Sequence, residues 1–453
     1  MTGLAGATTA IADSVEGVYN NAAAPAVREA VSLSWFEWEP SAGIALPGVY
    51  GGTDFNNRGE KGIDRNLRLG RRRTVETTDN FLYLEAGVWA QLGNLGLSAT
   101  ADFLRYDVSA PQQETPSLAL SLTRVHLVGA YSFLGNQLCI GAGVRAVYVN
   151  ISEVNNPNGA VIAMLGVAPQ VGVIVKPDDV QWRIGATARA PVEAGPLSVG
   201  RVVEEQTSTG EVVRSAGSFV LPDRITQPWE LEAGVAYQLG PRPLNPAWID
   251  PHVHEKQLEE RILKARAERQ ALHDAEIASL PIATAEDRAA RELRISRIRA
   301  EEEEARDAED IELRDGRQRL HEERKARYLN WPRERILLLG SVLLTGPSQN
   351  AVALEGFINR ERELVGRNVS LSPRFAVESE PVPNFLRFRT GIYLEPSRFE
   401  DGTKRQHFTF GADVKLFPWD VLGLIPNQTW RISAFLDVAP RYQNFGFAVG
   451  AWH

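Results

Sequence analysis

Cysteine is all but missing from this chain: Cys139 stands alone in 453 residues, which excludes an intramolecular disulfide framework. Long hydrophobic runs are missing as well. The longest apolar stretch, Ile336 to Leu344, is of strand length, far short of the roughly 18 to 20 apolar residues a membrane helix needs. There is no excess of basic charge, and a net charge of -8 leaves no nucleic-acid footprint. The opening Met1-Thr2-Gly3 has neither the basic region nor the apolar core of an export signal, so the chain starts at its mature end or is not exported. Catalytic arrangements are missing too. His252-Val253-His254 has no third metal ligand at useful spacing, and Gly141-Ala142-Gly143 sits in mid-strand and not at a strand-to-helix phosphate loop, so neither a metal nor a cofactor is expected.

What the chain does have is alternation. In Val369 to Leu394, Leu371, Phe375 and Val377 alternate with Ser370, Ser372, Arg374 and Glu378. Beyond a turn at Pro381 to Asn384, Leu386, Phe388, Ile392 and Leu394 alternate with Arg387, Arg389 and Tyr393. A single hairpin of this kind also fits a soluble sandwich. Repetition along most of the chain, with charged or glycine-rich faces opposed to apolar ones, suits a barrel with lipid outside and water inside. Charged residues at 23% and a mean hydropathy of -0.22 fit that reading, because lumen faces, loops and a charged insert dilute the lipid face.

Strands are expected from Ala30 to Glu39, with Val31, Leu33 and Trp35 on one face, and after a polar loop, Gly48 to Asp79, that carries the basic run Arg68 to Arg73. Phe81 to Leu92 and Gly96 to Val108 are joined by a Gly93-Asn94 turn, and Leu138 to Asn150, Val161 to Val175 and Gln181 to Ala190 follow. In Ser117 to Phe133 the apolar phase slips near Thr123-Arg124, which predicts a bulge or a strand that leaves the bilayer there. Pro191 to Thr226 reads as a long polar loop, and Gly346 to Asn368 as an excursion on the same side. Strands resume at Trp229, at Arg335 and through Arg405 to Phe417, Trp430 to Val438 and Phe445 to Ala451. The whole adds up to about fourteen antiparallel strands, an even number as single-chain bacterial barrels require.

Period 2 is abandoned from Pro251 to Asn330, where Glu, Arg, Ala and Lys predict two helices broken at Ser279 to Ala283, with Thr284 and Asp287 as a capping box. Leu258, Ile262, Ala265 and Leu272 form a stripe on the first helix, while Arg299 to Asp310 of the second carries only alanines as apolar residues. Pairing is therefore expected near the shared turn only, and the longer second helix is expected to break at Asp315-Gly316. If short turns face the periplasm, this insert emerges there, as a solvated spacer or as an arm for a periplasmic or cell-wall partner.

The N-terminus carries more specific information. GLAGATTAIADSVEGVYNNAAAP resembles the opening of the outer-membrane FadL/TodX family, whose mature members begin G-A-x-T-A-x-A-D-D-x-x-x-x-Y-x-N-P-A. The match rests on Gly6, Ala7, Thr9, Ala10, Ala12, Asp13, Tyr19 and Asn21, and departs where Asn21 is followed by Ala22-Ala23 instead of Pro-Ala. The resemblance implies a plug over 1–29, with Gly6, Ala7, Asp13, Tyr19 and Asn21 in it, inside an all-β transmembrane barrel. It further implies eight strands over 30–250, the helical hairpin at 251–330, six strands over 331–453, and passage of long-chain fatty acids or aromatic hydrocarbons. A strand kink opens a side exit toward lipid in that family. Inward Arg145, Arg183, Arg374, Arg387, Arg389, Glu230, Glu232 and Asp413 are expected to line the lumen, either anchoring the plug or greeting a substrate carboxylate. Trp89, Tyr83, Phe435, Met164 and Ile162 are candidates for an apolar ligand path, and each also suits plug packing. The expected partners are membrane lipid and a hydrophobic small molecule, at the outer membrane. Two alternatives stay open: a scaffold barrel whose arm docks envelope partners, and a soluble enzyme with a coiled-coil insertion.

Overall fold

A computed structural model describes residues 2–28, 32, 35–47, 57, 77–109, 117–154, 156–199, 202–206, 212–216, 219–220, 225–248, 250–348, 351, 365–399, 404–421 and 425–452. Val31 and Leu33, the basic run at 68–73 and most of the 346–368 excursion lie outside the described residues.

The strands are β1 (Phe36–Pro47), β2 (Thr77–Leu92), β3 (Leu95–Ser109), β4 (Leu118–Phe133), β5 (Leu138–Glu153), β6 (Asn156–Val175) and β7 (Trp182–Arg189). Next come β8 (Val192–Val199), β9 (Val202–Gln206), β10 (Val212–Ala216), β11 (Phe219–Val220), β12 (Ile225–Gln227) and β13 (Glu230–Leu239). After two helices follow β14 (Ile336–Thr345), β15 (Ser370–Val382), β16 (Leu386–Glu395), β17 (Arg405–Val421), β18 (Ile425–Ala439) and β19 (Tyr442–Ala451). Antiparallel pairing runs from β7 through β6 to β1, on to β19, back down to β13, and β13 pairs with β7. With β8 and β12 left out of that circuit, fourteen strands close into a barrel.

Closure sorts side chains by parity. Leu84, Val88, Leu97, Leu127, Val144 and Phe410 are exposed on the outer wall, while Asp102, Arg145, Glu232, Arg387 and Asp413 are buried inside. An exposed apolar wall around a charged interior is what lipid outside and water inside select. No described helix is long and apolar enough to cross a membrane; the strands of the circuit are 8 to 20 residues long. One rim carries the short connections, such as Gly93-Asn94 and 383–385, and the opposite rim carries the long ones, such as 48–76.

Residues 2–28 fill the short-turn half of the lumen as a single helical turn, Ser14–Gly17, and two 3-10 turns. Small residues make this possible: Ala12, Ala22, Ala23, Ala24 and Ala26 pack on Val128, Ala130 and Ile174, and Leu4, Ala7 and Ala10 pack on Leu337 and Leu339. The both-sided apolarity of β14 is thereby explained, since its inner face meets the plug.

Four expectations give way. The first strand runs over Phe36–Pro47 and not from Ala30, because its register is fixed by Phe36↔Leu92 and Ala42↔Val449. Of the two readings of the phase slip at Thr123-Arg124, the bulge is the one that gives way: both ladders of β4 pass through it in unbroken register. What changes there is the lumen, which turns from charged at Arg124 to apolar at Leu122, Leu120 and Leu118. The stretch read as a polar loop over 191–226 holds β8 and β12, which extend the β7–β13 hairpin, and a separate three-stranded sheet of β9, β10 and β11.

The fourth concerns the insert. Val31–Trp35 and Ile249–Trp331 form a second compact unit. Its helices are α1 (Pro251–Ser279) and α2 (Ala285–Leu329), the latter capped by the expected Thr284–Asp287 box. Pairing is not confined to the turn: Glu276 meets Arg294 at 2.6 Å, Glu309 meets Arg266 at 2.6 Å, and Glu259 meets Arg317 at 2.7 Å. Helix α2 does not break at Gly316. A Cβ there would crowd Leu258 Cδ2, so the glycine seats a leucine from α1. At 1.5 Å per residue the helices span roughly 43 and 67 Å, and the nine residues of α2 before Arg294, which meets Glu276 near the end of α1, are part of the difference.

Candidate functional site

The lumen has three levels. On the short-turn side the plug is stitched to the wall. Asn21 Nδ2 donates to the carbonyls of Thr9, Val173 and Ala186, and Tyr19 Oη donates to Ala101 O at 3.1 Å. The Gly6 carbonyl accepts from Arg374 Nη1 at 3.2 Å, Ala7 is buried, and Asp13 precedes the helical turn. The plug backbone approaches so closely that a Cβ at wall residues Gly141 or Gly96 would overlap the carbonyl oxygen of Ala22 or Pro25. Arg28, the sole basic side chain in the first 28 residues, is 2% exposed, donates to Gly93 O at 2.8 Å and stacks 4.8 Å from the Trp248 ring. Sequence reasoning missed this anchor, although a lone arginine closing a run of small residues was a visible signal.

Above the plug lies a cavity of about 410 Å³, lined by Glu16 and Tyr19 of the plug and by Tyr83, Arg124, His126 and Phe435 of the wall. Most of its charges are paired. Glu230 takes Arg189 at 3.2 Å and Arg145 at 3.5 Å; Arg374 meets Glu232 at 3.2 Å; Arg389 spans Glu378 and Asp413, both at 2.7 Å. Two further cations point into the lumen away from this cavity: Arg183 bonds Asn245 Oδ1 at 2.6 Å, and Arg387 stacks on Trp452 at 4.3 Å. One buried network was not foreseen. His407 is held by Asp437 at 2.8 Å and Glu395 at 3.0 Å, with Tyr393 stacked on its ring at 4.2 Å. These residues lie on three different strands, and spacing alone does not bring them together.

Toward the long-loop rim the interior becomes apolar. Phe81, Tyr106, Leu120, Val149, Ile162 and Met164 are among the members of one buried cluster. The boundary is sharp: one inward position separates Leu122 from Arg124 and Val147 from Arg145. The five proposed path residues therefore divide. Ile162 and Met164 belong to the apolar cluster, Tyr83 and Phe435 line the polar cavity, and Trp89 is committed to the plug through Nε1 to Pro25 O at 2.8 Å. Among the described residues no three acidic, histidine or cysteine side chains are grouped to hold a metal.

A closed fourteen-strand wall, an internal N-terminal plug and an apolar-to-charged lumen define a plugged transmembrane barrel. The barrel has the fold of a FadL-type channel: a Pseudomonas aeruginosa FadL homologue superposes with a TM-score of 0.50 at 9% identity, over 99% of this chain and 96% of that one. Weaker superpositions link the CymD monoaromatic hydrocarbon channel (0.48, 8% identity, 99% and 94% covered) and the Pseudomonas putida toluene transporter TodX (0.45, 9%, 99% and 96%). No family model and no curated protein sequence matches the chain.

Proposed function

We propose that this barrel sits in the outer membrane and takes up hydrophobic small molecules, of fatty-acid or aromatic-hydrocarbon type, by passive diffusion along its plugged lumen. One observation carries the reading: a buried apolar cluster on the inner wall at the long-loop rim, where a water-filled pore would carry polar side chains. A hydrophobic molecule leaving water gains about 25 cal/mol per Å² of apolar surface it buries there, which favours capture without an energy source. Below the cluster Arg374, Arg189 and Arg431 bond the plug, so structural anchoring suffices to explain them. No covalent chemistry is required of any side chain. The resemblance of the N-terminal stretch to the FadL/TodX opening, with the fold shared with a FadL homologue, supports the same reading. The test is uptake of toluene and of a long-chain fatty acid into liposomes carrying the full chain; rates equal to those of empty liposomes sink the proposal.

The helical hairpin supports a second role. It joins β13 to β14 at the rim of short turns, the periplasmic rim of such a barrel. Its two helices are paired along their length by side-chain ion pairs, a build suited to an arm that meets an envelope partner. Deleting 251–330 separates the roles: unchanged uptake with lost partner capture assigns the arm to assembly, and lost uptake assigns it to transport.

A further inference from the structure

Three adjacent strands carry proline at one level of the wall. Pro191 follows β7 and Pro228 precedes β13, and the register shared by Arg189↔Glu230 and Val192↔Gln227 sets the two opposite each other. Pro169 of β6 stands beside them, its carbonyl accepting from Ala190 N at 3.0 Å. Proline has no N–H to give to a ladder. The β7–β13 ladder accordingly stops at Arg189 and resumes as β8–β12 at Val192. Above this seam β8 pairs with β6 at four positions from Ile162↔Val199 to Leu165↔Gly195, and its other neighbour, β12, is the edge of the sheet among the described residues.

One buried side chain bridges the seam. Arg145 Nη2 donates to Ala190 O at 2.8 Å and to Pro228 O at 3.4 Å, one carbonyl on each side of the interrupted ladder, while Nη1 meets Glu230. Arg189 shares that glutamate and donates to the plug carbonyls of Tyr19 and Asn20 at 2.7 and 3.0 Å. Val192 and Ala194 of β8 are members of the apolar cluster and close one side of it.

We propose that β8 and β12 form a flap over the apolar cluster, hinged along β6, freed from the wall below by the proline seam and bolted by Arg145. Its purpose, admitting a hydrophobic molecule to the cluster, rests on the proposed transport role; the mechanics do not. Opening breaks the two Arg145–carbonyl hydrogen bonds and leaves the β7–β13 ladder whole. Amide hydrogen exchange on the full chain in detergent micelles, without ligand, tests this. In Arg145→Gln the amides of 192–195 and 225–227 exchange faster by on the order of tenfold, while 182–189 and 230–239 keep their wild-type rates. Arg145→Lys, which can reach one carbonyl, falls between. In Pro191→Ala/Pro228→Ala, which returns two ladder donors, the flap exchanges more slowly than wild type, and this pair decides the matter should Arg145→Gln not fold. Unchanged flap exchange in the variants that fold, or equal acceleration of flap and lower ladder, overturns the proposal. Toluene uptake into liposomes is the separate arm: a local exchange effect with no uptake in any variant keeps the flap and removes the transport role.

Discussion

Gly141 shows how much of this molecule is decided by single positions. A side chain there has no room, because the Ala22 carbonyl occupies the space where Cβ would stand. Gly141→Val should therefore unseat the plug, at a cost of about 1–3 kcal/mol for overpacking, and make residues 2–28 accessible to protease in the purified barrel. Met164 makes the complementary case. Fully buried in the apolar cluster, it tolerates a thioether and not a charge. Met164→Glu should leave the strand signature in circular dichroism intact and lower toluene uptake about tenfold or more, since an unpaired buried carboxylate costs several kcal/mol or recruits water. Facing was legible at this scale: parity alone set Glu378 and Arg387, which are buried inside, opposite Leu371, Phe375 and Phe388, which are exposed on the outer wall. Partnership was not. Asp437, Glu395 and His407 are brought together by register between strands, and no local pattern encodes that.

Among the elements, the helical hairpin departs most from its reading. Apolar stripes are poor on α2, and pairing was accordingly expected near the turn only; ion pairs extend it instead. Glu309 is the most enclosed acid of the pair, receiving Arg266 and Arg269. Burial raises its carboxyl, and the hydrogen bonds from Arg269 and Arg266 outweigh that and hold it below its ordinary value of 4.5. Hydrogen bonds from the Thr284 side chain and backbone hold Asp287 below its ordinary 3.8. Both groups have depressed values in the folded state, so their stabilisation is fully present above the ordinary values and is lost as pH falls through the depressed ones. Helix content of the full chain, followed by far-ultraviolet circular dichroism, should hold from pH 7 to about 5 and decline below about 4, with Glu309→Gln flattening part of that decline. The β-elements teach a different lesson. The slip in β4 was a true signal with two readings, of which the bulge gives way: the ladders stay in register while the lumen turns from charged to apolar there. The extra strands β8 and β12 were hidden because prolines and short pairing lengths look like loop.

For the whole molecule, number and order of strands followed from alternation because a barrel repeats one rule, and the fourteen-strand closure needs nothing beyond it. Among the described residues closure also leaves no free edge along the circuit except where β12 ends the sheet, which is where the proposed flap lies. The plug was legible by its resemblance to the FadL/TodX opening and by little else, since runs of alanine and glycine are compatible with many local structures. The central claim is that this ring encloses an apolar entry above a sealed plug and passes hydrophobic molecules. Its most direct test is the initial rate of toluene entry into liposomes containing the purified chain, with Met164→Glu as the matched control. The account predicts entry well above that of protein-free liposomes, without an energy source and suppressed in the variant; entry equal to the protein-free rate, or unaffected by the variant, contradicts it.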